Sequence, residues 1–166
     1  MELTARVSNM NIGSEGFMLS EKVTFPLDDE EIDALLENLK LGEDEPYSIT
    51  TCMIVGNYTD LSLDRQLSSF DEANDLGDEI YRIEAYDEDK FFAIVEVEDI
   101  DTAIDSIDNY LLHSGSWEEV AKEQLSCRYD IPEEVWDYID FQGYGEDQIN
   151  DNYYFMETEY GILEMC

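Results

Sequence analysis

Apolar and polar positions follow two periods along this chain, and the switches between them mark its elements. Residues 2–8, ELTARVS, read as a strand closed by the turn signal Asn11-Ile12-Gly13 and a loop reaching Gly16. Phe17 to Phe25, FMLSEKVTF, alternates in part and reads as a second strand stopped by Pro26. Asp28 then caps a helix, with Glu31 three residues on completing a capping box. Ile32, Leu35, Leu36 and Leu39 make its inner stripe at i, i+3, i+4, i+7, Glu30, Asp33 and Glu37 lie opposite, and Gly42 is the expected stop. Tyr47 to Val55, YSITTCMIV, is β-branched and aromatic, hence a third strand.

From Leu61 to about Val97 the period becomes helical. Leu63, Leu67 and Phe70, then Leu76, Ile80 and Ile83, predict two or three helices with breaks near Gly77 and Asp87. FFAIVEV, residues 91–97, is a short apolar run that reads equally as helix or strand. Asp99 or Asp101 caps the next helix, with Ile100, Ala103, Ile104 and Ile107 inward and Asp101, Asp105 and Asp108 outward. A short strand over Asn109 to His113, a turn at Ser114-Gly115-Ser116 and a helix over Trp117 to Leu125 follow. Pro132 to Asp147 reads as one more helix, begun by Pro132 and ended by Gly143 and Gly145. It places Val135, Ile139 and Gln142 on one face and Glu133, Asp137 and Asp140 on another. Tyr153 to Glu157 and Gly161 to Met165 predict a closing hairpin about Glu159-Tyr160-Gly161.

These elements make an α+β protein, expected as three small domains. They are an N-terminal antiparallel sheet with one helix (1–60), a central mainly helical segment (61–98) and a C-terminal α+β domain (99–166).

The chain of 166 residues carries 43 Asp and Glu against 8 Lys and Arg, a formal net charge of −35. With 43% hydrophobic residues it can bury a core, so it is not a disordered acidic tail. The net charge is −10 over residues 1–60, −11 over 61–103 and −14 over 104–166, so no terminal block holds it. Such a surface disfavours nucleic acid and anionic membranes and favours basic proteins and cations. No apolar stretch approaches the ~20 residues of a membrane span, and no leader-like run opens the chain, which predicts a soluble, cytoplasmic protein. The odd and scattered Cys52, Cys127 and Cys166 read as buried or idle thiols in a reducing cytosol.

A search for chemistry returns little. His113, the one histidine, is unmarked as a catalytic base or ligand and reads as structural. No calcium-loop signature, phosphate-cradling glycine loop or His/Cys metal set occurs, and with 43 acids a pair of carboxylates carries almost no information. The expectation is no enzyme, no metal and no cofactor. What repeats is the outward carboxylate stripe: Glu30, Asp33 and Glu37; Asp101, Asp105 and Asp108; Glu133, Asp137 and Asp140. Asp28, then Asp71, Asp75 and Asp78, and the pair Glu146 and Asp147 extend the candidate surface. Along a helix such carboxylates stand about 5 Å apart. Phosphates stand about 3.4 Å apart along one duplex strand, a comparable pitch. On the duplex spacing of about 1.7 Å per charge, 35 charges match about 60 Å of DNA, whereas a compact chain of this length is only about 40 Å across. That fits a binding protein that presents carboxylates in place of phosphates. Other readings of the charge are a mimic aimed at a different target such as a CRISPR effector or histone-like protein, adaptation to high salt, and loose cation binding.

Tyr138-Ile139-Asp140-Phe141-Gln142-Gly143-Tyr144-Gly145-Glu146-Asp147 resembles the YIDYxAxxRD-like segment of the ArdA antirestriction proteins, DNA mimics carried by plasmids, transposons and phages. Ile131-Pro132 before it, Tyr153 and Phe155 after it, and Gly161-Ile162-Leu163 add to the likeness. Phe25-Pro26-Leu27-Asp28 with its acidic helix is similar to the family's N-terminal element, and Asp99 to Tyr110 to the helix opening its third domain. The resemblance covers roughly 1–55 and 99–166; Glu146 stands where the family has a basic residue. It implies an elongated three-domain dimer in a bacterial host cell, acting without chemistry. It also implies a target: the DNA groove of a type I restriction–modification enzyme, at its DNA-binding, methyltransferase core. Tyr110, Leu112 and Trp117 are candidate dimer residues, because aromatics are enriched at interface cores.

The near-even division of charge predicts a rod-like molecule. Small-angle scattering should give a maximum dimension well beyond the ~40 Å of a compact chain of this length; the profile of a compact sphere would count against it.

Overall fold

The computed structural model describes residues 1–11, 18–42, 45–149 and 154–166. The expected loop over 12–16, the start of the second strand at Phe17, and Tyr153 lie outside the described residues. The fold is α+β, with antiparallel sheets throughout. It divides into two compact units, Met1–Ala85 and Tyr86–Cys166.

In the first unit β1 (Glu2–Asn9), β2 (Ser20–Phe25), β3 (Tyr47–Val55) and β4 (Asp60–Ser62) form a sheet in the order β2-β1-β3-β4. Leu3, Ala5 and Val7 of β1 are fully buried on one face, paired with Ile54 and Ile49 of β3. Burying each of the larger ones is worth about 1.5–3 kcal/mol. Between Thr4 and Arg6 the register slips past an extra residue of β3, a bulge in which Thr51 takes the left-handed region at φ 53.

Helix α1 (Asp29–Asn38) starts at the expected capping box: Asp28 accepts from the Glu31 N–H and the Glu31 carboxylate from the Asp28 N–H. Its stop is Lys40 rather than Gly42. Lys40 sits at φ 54, its N–H bonds Glu37 O, and the Leu41 N–H reaches back to Leu36 O at 2.9 Å, which is a Schellman closure. The buried Asn9 side chain donates to Leu39 O at 2.9 Å, so a strand residue satisfies a carbonyl at the helix end.

Helix α2 (Phe70–Arg82) runs straight through Gly77, where the sequence predicts a break. A Cβ there would stand 2.8–2.9 Å from Phe25 C, Phe25 Cβ and Pro26 N, so the glycine is a point of close approach to the end of β2. Asn74 fixes the same approach, accepting from the Leu27 N–H at 2.8 Å and donating to Leu27 O at 2.9 Å. Phe70 stacks on Tyr47 at 4.8 Å, and Ala73, Leu76 and Ile80 fill the space over β1. At the N-terminus Ser69 accepts from the Glu72 N–H, and the Glu72 carboxylate accepts from the Ser68 N–H at 2.7 Å and its hydroxyl at 2.6 Å.

The second unit holds α3 (Glu88–Val97), α4 (Ile100–Ser106), β5 (Tyr110–His113), α5 (Trp117–Arg128), α6 (Glu133–Trp136), α7 (Phe141–Tyr144), β6 (Phe155–Thr158) and β7 (Gly161–Met165). Its sheet runs β5-β7-β6, and the closing hairpin turns at Glu159-Tyr160 as expected. FFAIVEV is helical. Phe91, Phe92, Ala93 and Ile94 are all buried because α3 is enclosed by all three strands and α4, so no polar side interrupts its apolar run. The segment 61–98, expected as a domain of its own, is thus shared: α2 packs on the first sheet and α3 on the second.

The largest departure is over Pro132–Asp147, which is not one helix. The single turn α6 ends at Trp136, Asp140 leaves helical geometry at ψ 84 and recaps α7 by accepting from the Gly143 N–H at 3.0 Å, and a π-type turn follows over Gly145–Ile149. The reason is aromatic burial. Five residues apart, Trp136 and Phe141 would point about 140° from each other on one helix. The break lets both face the cluster of Trp117, Val120, Ala121, Leu125, Phe155 and Ile162, stacked at 5.1 Å, and leaves Val135 44% exposed instead. Gly145 lies against the start of α5, where a Cβ would meet Trp117 O at 2.5 Å.

Two outcomes follow from these contacts. Gly77→Ala gains about 1 kcal/mol of helix propensity but forces a methyl into the β2 backbone, so chemical denaturation should show a net loss of about 1–3 kcal/mol; a stabilised variant would refute the close approach. The Ser68 bonds hold the Glu72 carboxyl below its ordinary value of 4.5. Its contribution is therefore present above that value and lost as pH falls through the lower folded one. Melting of wild type and Glu72→Gln should differ most near neutral pH and converge below 4.5; a gap that widens in acid would contradict this.

Candidate functional site

The carboxylates divide by what they touch. One group is occupied by the fold itself. Asp28 and Asp140 cap α1 and α7, and Asp99 caps α4, accepting from the Thr102 N–H at 2.7 Å; that bond holds the Asp99 carboxyl below its ordinary value. Glu119 completes a capping box with Ser116 at α5. Negative side chains at these ends also suit the helix dipole. Glu146, at the π-type turn, accepts from Gln142.

The second group caps no described helix. Glu30, Asp33 and Glu37 on α1, and Asp71, Asp75 and Asp78 on α2, are exposed and bond to nothing among the described residues. Each triad rises about 6 Å and 4.5 Å between members, from 1.5 Å per residue. Asp101 and Asp105 lie exposed on α4, while Asp108 falls in the 3-10 turn Ile107–Asn109 that follows it. Glu133, Asp137 and Asp147 are exposed too. Because the helix expected over Pro132–Asp147 is broken, Glu133, Asp137 and Asp140 do not form a ladder on one helix face; they sit on α6, on the turn after it and at the α7 cap. The intact ladders are those of α1 and α2.

Basic residues do little to mask these faces. Arg65 pairs with Glu72 at 3.2 Å, Lys90 with Asp87 at 2.8 Å and Lys122 with Glu118 at 2.6 Å. Lys122 also stands over the Phe141 ring at 5.2 Å. None of these acids belongs to the α1 or α2 ladder. Exposed pairs of this kind contribute about 0–1 kcal/mol.

The His113 side chain is 8% exposed and held by two acids, its Nε2 2.8 Å from Glu164 and its Nδ1 3.5 Å from Glu123, with Phe155 tilted against it. Spacing gives no hint of these partners, since both lie on other elements. A cleft of about 520 Å³ beside it is lined by Leu112, Ser114, Gly115, Glu119 and Val120 among others. Tyr110 and Trp117, expected at a dimer surface, are 7% and 6% exposed and belong to the interior of the second unit; Leu112 is half-buried at the cleft. Their aromatic area is taken up within one chain, where α3 and the α5–α7 cluster reach them first. Burial pushes both the Tyr110 hydroxyl and the Cys52 thiol above their ordinary ranges; Cys127 and Cys166 are exposed free thiols.

Among the described residues no group of three or more His, Cys, Asp or Glu is placed to hold a metal ion, and no helix is long and apolar enough to cross a membrane. No curated protein matches the chain. A family model described as "Antirestriction protein (ArdA)" matches residues 7–162, nearly the whole chain. The chain belongs to the ArdA antirestriction family.

Proposed function

We propose that this ArdA-family chain is an inhibitor that stands in for duplex DNA in the DNA-binding groove of a type I restriction–modification enzyme. The observation that supports it most directly is the pair of exposed carboxylate ladders on α1 and α2. Their acids have no partner among the described residues, and their pitch is close to that of phosphates along a strand. A fold has no use for such ladders, since like charges at i, i+4 cost a few tenths of a kcal/mol each. A groove lined with Lys and Arg has.

The mechanism is occupancy. Lysines and arginines that hold phosphates close on Asp and Glu instead, and counterions released from both surfaces add to the affinity. Phosphate contacts carry no sequence information, so an imitation of the backbone alone competes at any recognition sequence. No bond is made or broken. The protein acts in the bacterial cytoplasm as a homodimer, whose roughly 70 charges correspond to about 120 Å of duplex. Asp101, Asp105, Asp108, Glu133, Asp137, Glu146 and Asp147 extend the surface in the second unit.

Purified protein tested in parallel against a type I restriction enzyme and a CRISPR nuclease should inhibit the first; inhibition of only the second would keep the mimicry and change the target. Inhibition should weaken at least about tenfold between roughly 50 and 200 mM salt, and a flat response would exclude an electrostatic imitation. Neutralising Glu30, Asp33 or Glu37 singly should change inhibition less than about threefold, as for rim charges, and all three together much more. A single neutralisation that abolishes binding in a folded protein would refute a distributed surface.

A further inference from the structure

We infer that the first unit meets its target with its helices, and that the uncovered face of its sheet stays in solvent within the complex; this rests on the DNA-mimic reading above. Strand alternation places Thr4, Arg6 and Ser8 on the face opposite Leu3, Ala5 and Val7; Arg6 is exposed there, while Thr4 and Ser8 are buried at 5% each. Register sets Thr24, Lys22 and Ser20 of β2 beside them on one side, and Met53, Thr50 and Ser48 of β3 on the other. This face is hydroxyl-lined, and its β2 residues are exposed. Neither α1 nor α2 covers it, because both helices bury apolar stripes and the apolar face of the sheet is the one built by Leu3, Ala5, Val7, Ile49 and Ile54.

Arg6 and Lys22 are direct cross-strand partners, an arrangement that like charges disfavour. Arg6 donates to Ser20 Oγ at 3.0 Å, and neither base forms an ion pair among the described residues. In a chain with 43 acids, two bases stand side by side on a face where the acids among the described strand residues are Glu2 and Asp60, both in the row beyond Thr4. That face is electrically balanced. The helix side is not: α1 and α2 together carry ten carboxylates and one base, Arg82. A groove lined with Lys and Arg is drawn to the helices and gains nothing from the sheet face, so the field of the unit selects its docking orientation before contact.

The test attaches a polyethylene glycol maleimide to one face or the other, in a Cys127→Ser, Cys166→Ser background so that only the new thiol and the buried Cys52 remain. Thr24→Cys marks the sheet face, and Ala34→Cys, exposed on α1 among Glu30, Asp33 and Glu37, marks the helix face without removing a carboxylate. Before labelling, both variants should inhibit the restriction enzyme as wild type does. After labelling, the Thr24→Cys protein should stay within about twofold of its unlabelled form, and the Ala34→Cys protein should lose about tenfold or more, as for a blocked interface. Equal losses, or no loss from the helix-side label, overturn the orientation. Failure of the unlabelled wild type to inhibit would instead sink the mimic reading.

Discussion

Burial of one apolar stripe per element is what this structure depends on, because electrostatics does not hold it together. With a net charge of −35 the folded chain is self-repelling, and its ion pairs at Lys90 and Lys122 span three or four residues along a helix. Against that stand Leu35 and Leu39 under α1, Ala73, Leu76 and Ile80 under α2, and Phe91 to Ile94 within α3. A like-charge neighbour on a helix costs a few tenths of a kcal/mol, and a buried Leu or Ile stabilises by about 1.5–3. Packing wins by nearly an order of magnitude per residue. An acidic outer face is therefore tolerated wherever the inner face is well filled.

The same ratio leaves the surface acids to be divided by what they touch. Acids at helix starts are tied to backbone N–H groups: Asp28, Asp99, Glu119 and Asp140 each complete a cap, so replacing one weakens the helix start. Acids in mid-helix, such as Asp33 and Asp75, contribute nothing to the interior and are at the disposal of a partner. Burial and partner, rather than residue type, separate the two groups.

Helix α1, with its capping box and its i, i+3, i+4, i+7 stripe, is legible in the sequence, and so is β3 to the residue, because local periodicity and local hydrogen bonding agree there. The candidate surface is legible on α1 for the same reason: once the inner stripe is known, Glu30, Asp33 and Glu37 must face out. Over Pro132–Asp147 the pattern misleads. There the helical period fits Val135 and Ile139, but Trp136 and Phe141 take the interior together with Ile139, and Val135 is left exposed. Gly77 misleads in the opposite sense, since a glycine that permits close approach looks in sequence like one that ends a helix.

What neighbours within about a turn settle was therefore readable from the chain alone: the stripe and capping box of α1, the extent of β3, and an acidic outer face on the helices. What depends on residues far apart in the chain came only with the assembled fold. It enclosed FFAIVEV as a helix, because three strands and α4 surround it. It drew Tyr110 and Trp117 into the interior, and set His113 between Glu123 and Glu164. It also laid Arg6 beside Lys22, which no spacing in the chain reveals, because strand register is fixed by the pairing of whole strands and a slip of one residue would have turned that pair into the core.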